Sequence, residues 1–141
     1  MRSTIFTKRN AAGIFLLGLL GLCACSPKPD DAVLCSAYKD EASHVEVIVD
    51  GSIARILGTQ EGRSGEHEGF LLRLASGCAL TVRVETNVSI TGSIPLRGGE
   101  RVTVKGEYEY YPEGGVVHWT HRAFGSHHAS GYVEAGDRLY W

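Results

Sequence analysis

The sequence predicts an all-β protein: a small five- or six-stranded OB-like barrel preceded by a signal peptide and a short tether. Three observations carry that expectation. Apolar residues alternate with polar ones in short runs, as strands with one buried face require. Glycines punctuate those runs at Asp50-Gly51, Ser76-Gly77 and Gly114-Gly115, where turns or bends are needed. The length left after a signal is removed holds one core and no second domain. A β-sandwich is the alternative architecture, and an unclosed meander is the third.

Residues 1–24 have the layout of a lipoprotein signal peptide. Arg2, Lys8 and Arg9 precede an apolar run from Ala11 to Ala24, too short for a comfortable membrane-spanning helix of about 20 apolar residues. The run ends Leu22-Cys23-Ala24-Cys25 and resembles the bacterial lipobox, which makes Cys25 the lipidated residue. The expected location is the bacterial cell envelope, with the membrane as partner through the lipid anchor. By resemblance to other lipoproteins, Ser26 after that cysteine favours the outer membrane, with the domain facing the periplasm. Losing three cations with the signal takes the formal charge from −2 to −5. Nucleic acid is not an expected partner, because no basic run remains to neutralise phosphates.

Residues 25–43 read as a tether. Ser26 to Asp31 has little to bury, and Val33, Leu34, Ala37 and Tyr38 give at most a short helix. With Cys25 lipidated and Cys23 removed, Cys35 and Cys78 remain, and an oxidising compartment makes them a disulfide.

The β-domain is expected over residues 44–141. Val45, Val47 and Val49 alternate, then Asp50-Gly51 interrupts before Ile53 to Leu57 continues. This is one long strand bent at glycine, or two strands joined by a tight turn. Gly58 to Glu66 is loop by composition. Phe70, Leu72 and Leu74 face the same side as Cys78, Leu80, Val82 and Val84. A three-residue loop Ala75-Ser76-Gly77 pairs Leu74 with Cys78, Leu72 with Leu80 and Phe70 with Val82. Asn87 to Gly99 is a connector. Residues 132–140 close with a hairpin across Ala135-Gly136-Asp137.

The aromatic hairpin Gly106–His121 turns at Pro112-Glu113-Gly114-Gly115. An even-length connection pairs Tyr111 with Val116, Tyr110 with Val117, Glu109 with His118 and Tyr108 with Trp119. Tyr108, Tyr110, Val117 and Trp119 then face the core, while Glu107, Glu109, His118 and Thr120 face out. His118 and His121 point to opposite faces unless a bulge or a strand end intervenes near Thr120.

Ser64 to Phe70, Gly106-Glu-Tyr-Glu109, Pro112 to His121, His128, Gly131-Tyr132 and Tyr140 together resemble the bacterial family catalogued as domain of unknown function 3465. The resemblance covers His67 to Tyr140. It departs at Tyr110-Tyr111 and Ala123-Phe124, and near Asn87, where a histidine and an aspartate are expected. It implies envelope association and a β-barrel, and it brings no established activity.

The leading functional expectation is a binding or structural module of the envelope, serving an unidentified envelope ligand or protein. Its candidate surface is His67, Glu109, Tyr111, His118, His121 and His128. Of Tyr108, Tyr110, Tyr111 and Trp119, which could form a stacking platform, only Tyr111 faces outward, so core packing is favoured for the set. The first alternative is a metal-binding domain for zinc or copper using His118, His121, His127 and His128. The second is a hydrolase pairing a histidine base with Glu109 or Glu107. Against it, the sequence holds no nucleophile elbow and no His-Glu-x-x-His motif. No catalytic residue is assigned.

Overall fold

A computed structural model describes residues 27–141. The signal-like run, Cys25 and the start of the tether lie outside the described residues. The elements are α1 (Asp31–Lys39), β1 (Val45–Gly62), β2 (Gly65–Leu74), β3 (Thr81–Asn87), α2 (Val88–Thr91), β4 (Arg101–Glu109), β5 (Val116–His118), β6 (Tyr132–Ala135) and β7 (Arg138–Tyr140). Among the described residues no helix is long and apolar enough to cross a membrane.

The strands form one sheet in the order β1-β2-β3-β5-β4-β6-β7, and an added β1–β4 pairing closes a ring through five of them. Every pairing is antiparallel except β3 with β5. Seven strands stand where five or six were expected, and the expected C-terminal hairpin, β6 and β7, lies outside the ring.

β1 is the long bent strand. Its first half pairs with β4 and its second with β2, and Gly51 sits in both ladders, opposite Val102 and Leu74. A Cβ on Gly51 would fall on the Arg73 carbonyl oxygen and the Leu72 side chain. Only glycine lets the chain change partners there. The loop expected from Gly58 to Glu66 is a correction: strand pairing runs out to Gly62↔Gly65, leaving Arg63 and Ser64 as the turn. Polar composition misled here because this arm is exposed, so its strands have no face to bury.

The core holds Val47, Val49, Ile53, Phe70, Leu72, Val82, Val84, Val102, Val104, Tyr108, Val117 and Val133, the inward parities of the runs. Register is the second correction. Leu72 pairs with Val82 and Phe70 with Val84, two residues beyond expectation, because the connection after Leu74 extends to Leu80. A shift of two leaves every side chain on its expected face.

α1 belongs to this core rather than lying outside it. Asp30 caps its start by accepting from Ala32 N–H at 3.1 Å, and Leu34 and Ala37 are buried in the hydrophobic cluster. The buried Asp31 carboxylate accepts from Asp50 N–H at 2.9 Å, Ser76 N–H at 2.9 Å and Ser76 Oγ at 3.0 Å. Beside it the sulfurs of Cys35 and Cys78 are at disulfide distance, with Cα atoms 5.9 Å apart, as expected. The connector after Asn87 opens with the single turn of α2, which Asn87 caps by accepting from Ser89 N–H.

Candidate functional site

β4 and β5 build the site. The register is Glu107↔His118, Tyr108↔Val117 and Glu109↔Val116, again two residues from the expected pairing and again of the same parity. Tyr108 and Val117 are fully buried as expected. The tight turn depends on Gly115, whose φ is +80° and whose added Cβ would collide with the Tyr108 ring. Glu107, Glu109 and His118 face outward together.

Trp119 is the main correction. It was expected inside against Tyr108, but β5 ends at His118 and Trp119 takes a left-handed φ of 53°, leaving it 38 % exposed. The strand end near Thr120 therefore exists. It turns Thr120 and His121 into buried positions, with Thr120 Oγ1 donating to the Glu85 carbonyl at 2.9 Å. Tyr110, also expected inside, is half-buried; its ring centroid lies 5.6 Å from that of Tyr38.

The Trp119 indole gathers the histidines around itself. It stacks on His128 at 4.3 Å between centroids, with His118 at 5.3 Å and His121 at 5.9 Å, and His121 meets His128 edge-on at 5.0 Å. His127 is exposed. His67, His121 and His128 each place Nδ1 at 2.7–2.8 Å from a backbone carbonyl, of Gly65, Arg122 and Ala129 respectively. A carbonyl only accepts, so each Nδ1 carries a proton, and Nε2 is the free lone pair of the neutral ring. Burial holds the His121 pKa below its ordinary value, with the neighbouring His128 and His67 acting in the same direction against the Arg122 carbonyl. His121 is thus neutral at neutral pH.

A second cluster was missed by sequence reasoning. His44, just before β1, places Nδ1 2.9 Å from Glu107 Oε1 and 3.9 Å from Glu109 Oε1. The Glu107 hydrogen bond and its charge raise the His44 pKa. His118 Nε2 faces the same two oxygens, at 3.4 Å from Glu109 and 3.9 Å from Glu107. Among the described residues, His44, Glu107 and Glu109 are three candidate ligands with donor atoms all within 4.8 Å of one another. His121, His127 and His128 are not in that group. The missed signal is the β1–β4 register, Val45↔Tyr108, which no local pattern around His44 encodes.

Next to these carboxylates lies a groove of about 720 Å³. Leu71, Val116 and the exposed ring of Tyr111 give its apolar lining; Arg83, Glu85, Glu109, Glu113 and His118 give its polar lining. The Arg83 guanidinium is paired with Glu85 at 2.7 Å. For hydrolysis, among the described residues Ser64 Oγ lies 3.3 Å from His67 Nε2, a hydroxyl–imidazole pair on the β1–β2 arm, whereas Glu107 and Glu109 lie on β4. The imidazole of His118 faces the Glu107 and Glu109 carboxylates, the kind of partner that orients a histidine base.

Neither a curated protein nor a solved structure matches the chain. A family model does match, over residues 16–141, well beyond the stretch that its motifs suggest. The chain belongs to the family described as "Protein of unknown function (DUF3465)".

Proposed function

We propose that this protein is a cell-envelope lipoprotein, anchored through Cys25 and facing the periplasm from the outer membrane, whose OB-like barrel is a binding module. The closed order β1-β2-β3-β5-β4-β1 with a parallel β3–β5 pair supports the OB-like description. The observation that carries the binding reading is the groove across the outer faces of β2, β3 and β5, the side on which OB barrels take ligands.

Its charge selects the ligand class. Three carboxylates, Glu85, Glu109 and Glu113, face one guanidinium that is already paired. A polyanion meets repulsion there, whereas a neutral saccharide can stack on Tyr111 and hydrogen-bond to the carboxylates. The test is titration of the isotope-labelled protein with chitotetraose and, separately, with oligothymidylate. Shifts at Leu71, Arg83 and Val116 are expected with the saccharide only, and Tyr111→Ala should weaken binding by about 1–3 kcal/mol. Oligothymidylate in the groove without saccharide binding would overturn this reading.

A further inference from the structure

We propose that His44, Glu107 and Glu109, with His118 as fourth donor, form a divalent-metal site of the zinc class on the outer face of β4. Two imidazole nitrogens from separate parts of the chain converge on the same two carboxylate oxygens. Their four distances are 2.9, 3.9, 3.9 and 3.4 Å. A tetrahedral zinc ion with bonds of 2.0–2.1 Å separates its ligand atoms by about 3.3–3.4 Å, the middle of that range. Two carboxylates and two neutral imidazoles also balance the charge of a divalent ion.

The backbone explains the convergence. Glu107 and Glu109 are two apart on one strand, so they share a face. His118 stands opposite Glu107 in the ladder. His44 holds a left-handed φ of 61° immediately before Val45, which pairs with Tyr108. That conformation is costly for a residue with a side chain, and here it carries the ring to Glu107.

An independent observation points to a ligand. His118 Nε2 is a buried atom with no hydrogen-bond partner, directed at two carboxylates. Buried polar atoms are normally satisfied; a cation between this nitrogen and the oxygens would satisfy all three. His118 lies outside the group held within 4.8 Å because of its distance from His44. His44 is the ring free to close that gap, with a side chain 76 % exposed.

The site shares Glu109 and His118 with the saccharide groove, but the ion can bind with the groove empty, so a zinc titration without saccharide tests it separately. The test uses the untagged full chain in detergent micelles, stripped with chelator and titrated with zinc chloride by calorimetry. Cobalt absorption serves as a second readout of tetrahedral ligation. One zinc per chain is expected. His44→Ala and Glu109→Gln should each weaken binding at least about tenfold, while the double variant His121→Ala/His128→Ala keeps full affinity. His44 is exposed, so its loss leaves the fold intact, as circular dichroism will show. No uptake at millimolar zinc, wild-type affinity in His44→Ala, or loss of binding only in the double variant would each overturn the proposal.

Discussion

Replacing Asp31 removes a carboxylate that joins α1 to the bend of β1 and to the β2–β3 connection. Its Oδ1 accepts from Asp50 N–H in the bend of β1, and its Oδ2 accepts from Ser76 N–H and Oγ in the β2–β3 connection. The residue is 3 % exposed, so Asp31→Ala leaves donors facing a cavity. Hydrogen bonds to a charged group contribute about 1.5–3 kcal/mol each. Ser76 lies in an exposed segment, where its hydroxyl and amide regain water, so the Asp50 bond counts in full and the Ser76 bonds in part. The expected cost is about 3–4 kcal/mol, a large share of a small domain's stability. Asp31→Asn keeps one accepting oxygen and should cost roughly half of that. Asp31→Glu keeps the charge but displaces the carboxylate from both donors, so it should also destabilise. Urea unfolding followed by far-ultraviolet circular dichroism, with the disulfide intact, measures all three. Asp31 also begins α1, where a negative charge interacts with the helix dipole for about 0.3–1 kcal/mol. If Ala and Asn both cost under about 1 kcal/mol and Glu costs nothing, only the dipole is at work and the clamp argument fails.

Two further outcomes are expected. Burial pushes the Tyr108 phenol up to about 12 from 10, and its hydroxyl donates to the Gly114 carbonyl at 3.3 Å. Between those values the unfolded chain has released the proton and the folded chain has not. Stability is therefore intact below pH 10 and falls toward pH 12, by about 2–3 kcal/mol in all. Tyr108→Phe should flatten that limb, and an unchanged alkaline profile in equilibrium unfolding would contradict the assignment. For the anchor, Cys25→Ser should move the protein from the membrane fraction to the soluble fraction. Mass spectrometry of the wild type should find a diacylglyceryl group on Cys25; an unmodified mature N-terminus elsewhere would refute lipidation.

Much of the fold was legible because parity survives small errors. The β2–β3 and β4–β5 pairings each sit two residues from expectation, yet Leu72, Val82, Tyr108 and Val117 are buried as alternation requires. Trp119 shows where the same reasoning stops. Alternation assumes that a strand continues, and nothing in Val116-Val-His-Trp-Thr120 signals that it ends after His118. What ends it is tertiary: Thr120 Oγ1 donates to Glu85, and Gly131 N–H donates to the His121 carbonyl. These draw the chain across the ring and leave the indole outside.

The candidate metal cluster was illegible for a stronger reason. Glu107, Glu109 and His118 could be placed on one outward face from the hairpin alone, and there they look like an ordinary polar surface. What makes them a site is His44, 63 residues from Glu107 in the chain, delivered by closure of the ring through the β1–β4 pairing. An unclosed meander, one of the folds open to the sequence, would leave His44 far from both carboxylates. Zinc affinity that disappears with His44→Ala therefore also reports on closure: a ligand set that joins His44, at the start of β1, to donors on β4 and β5 assembles only when β1 pairs with β4.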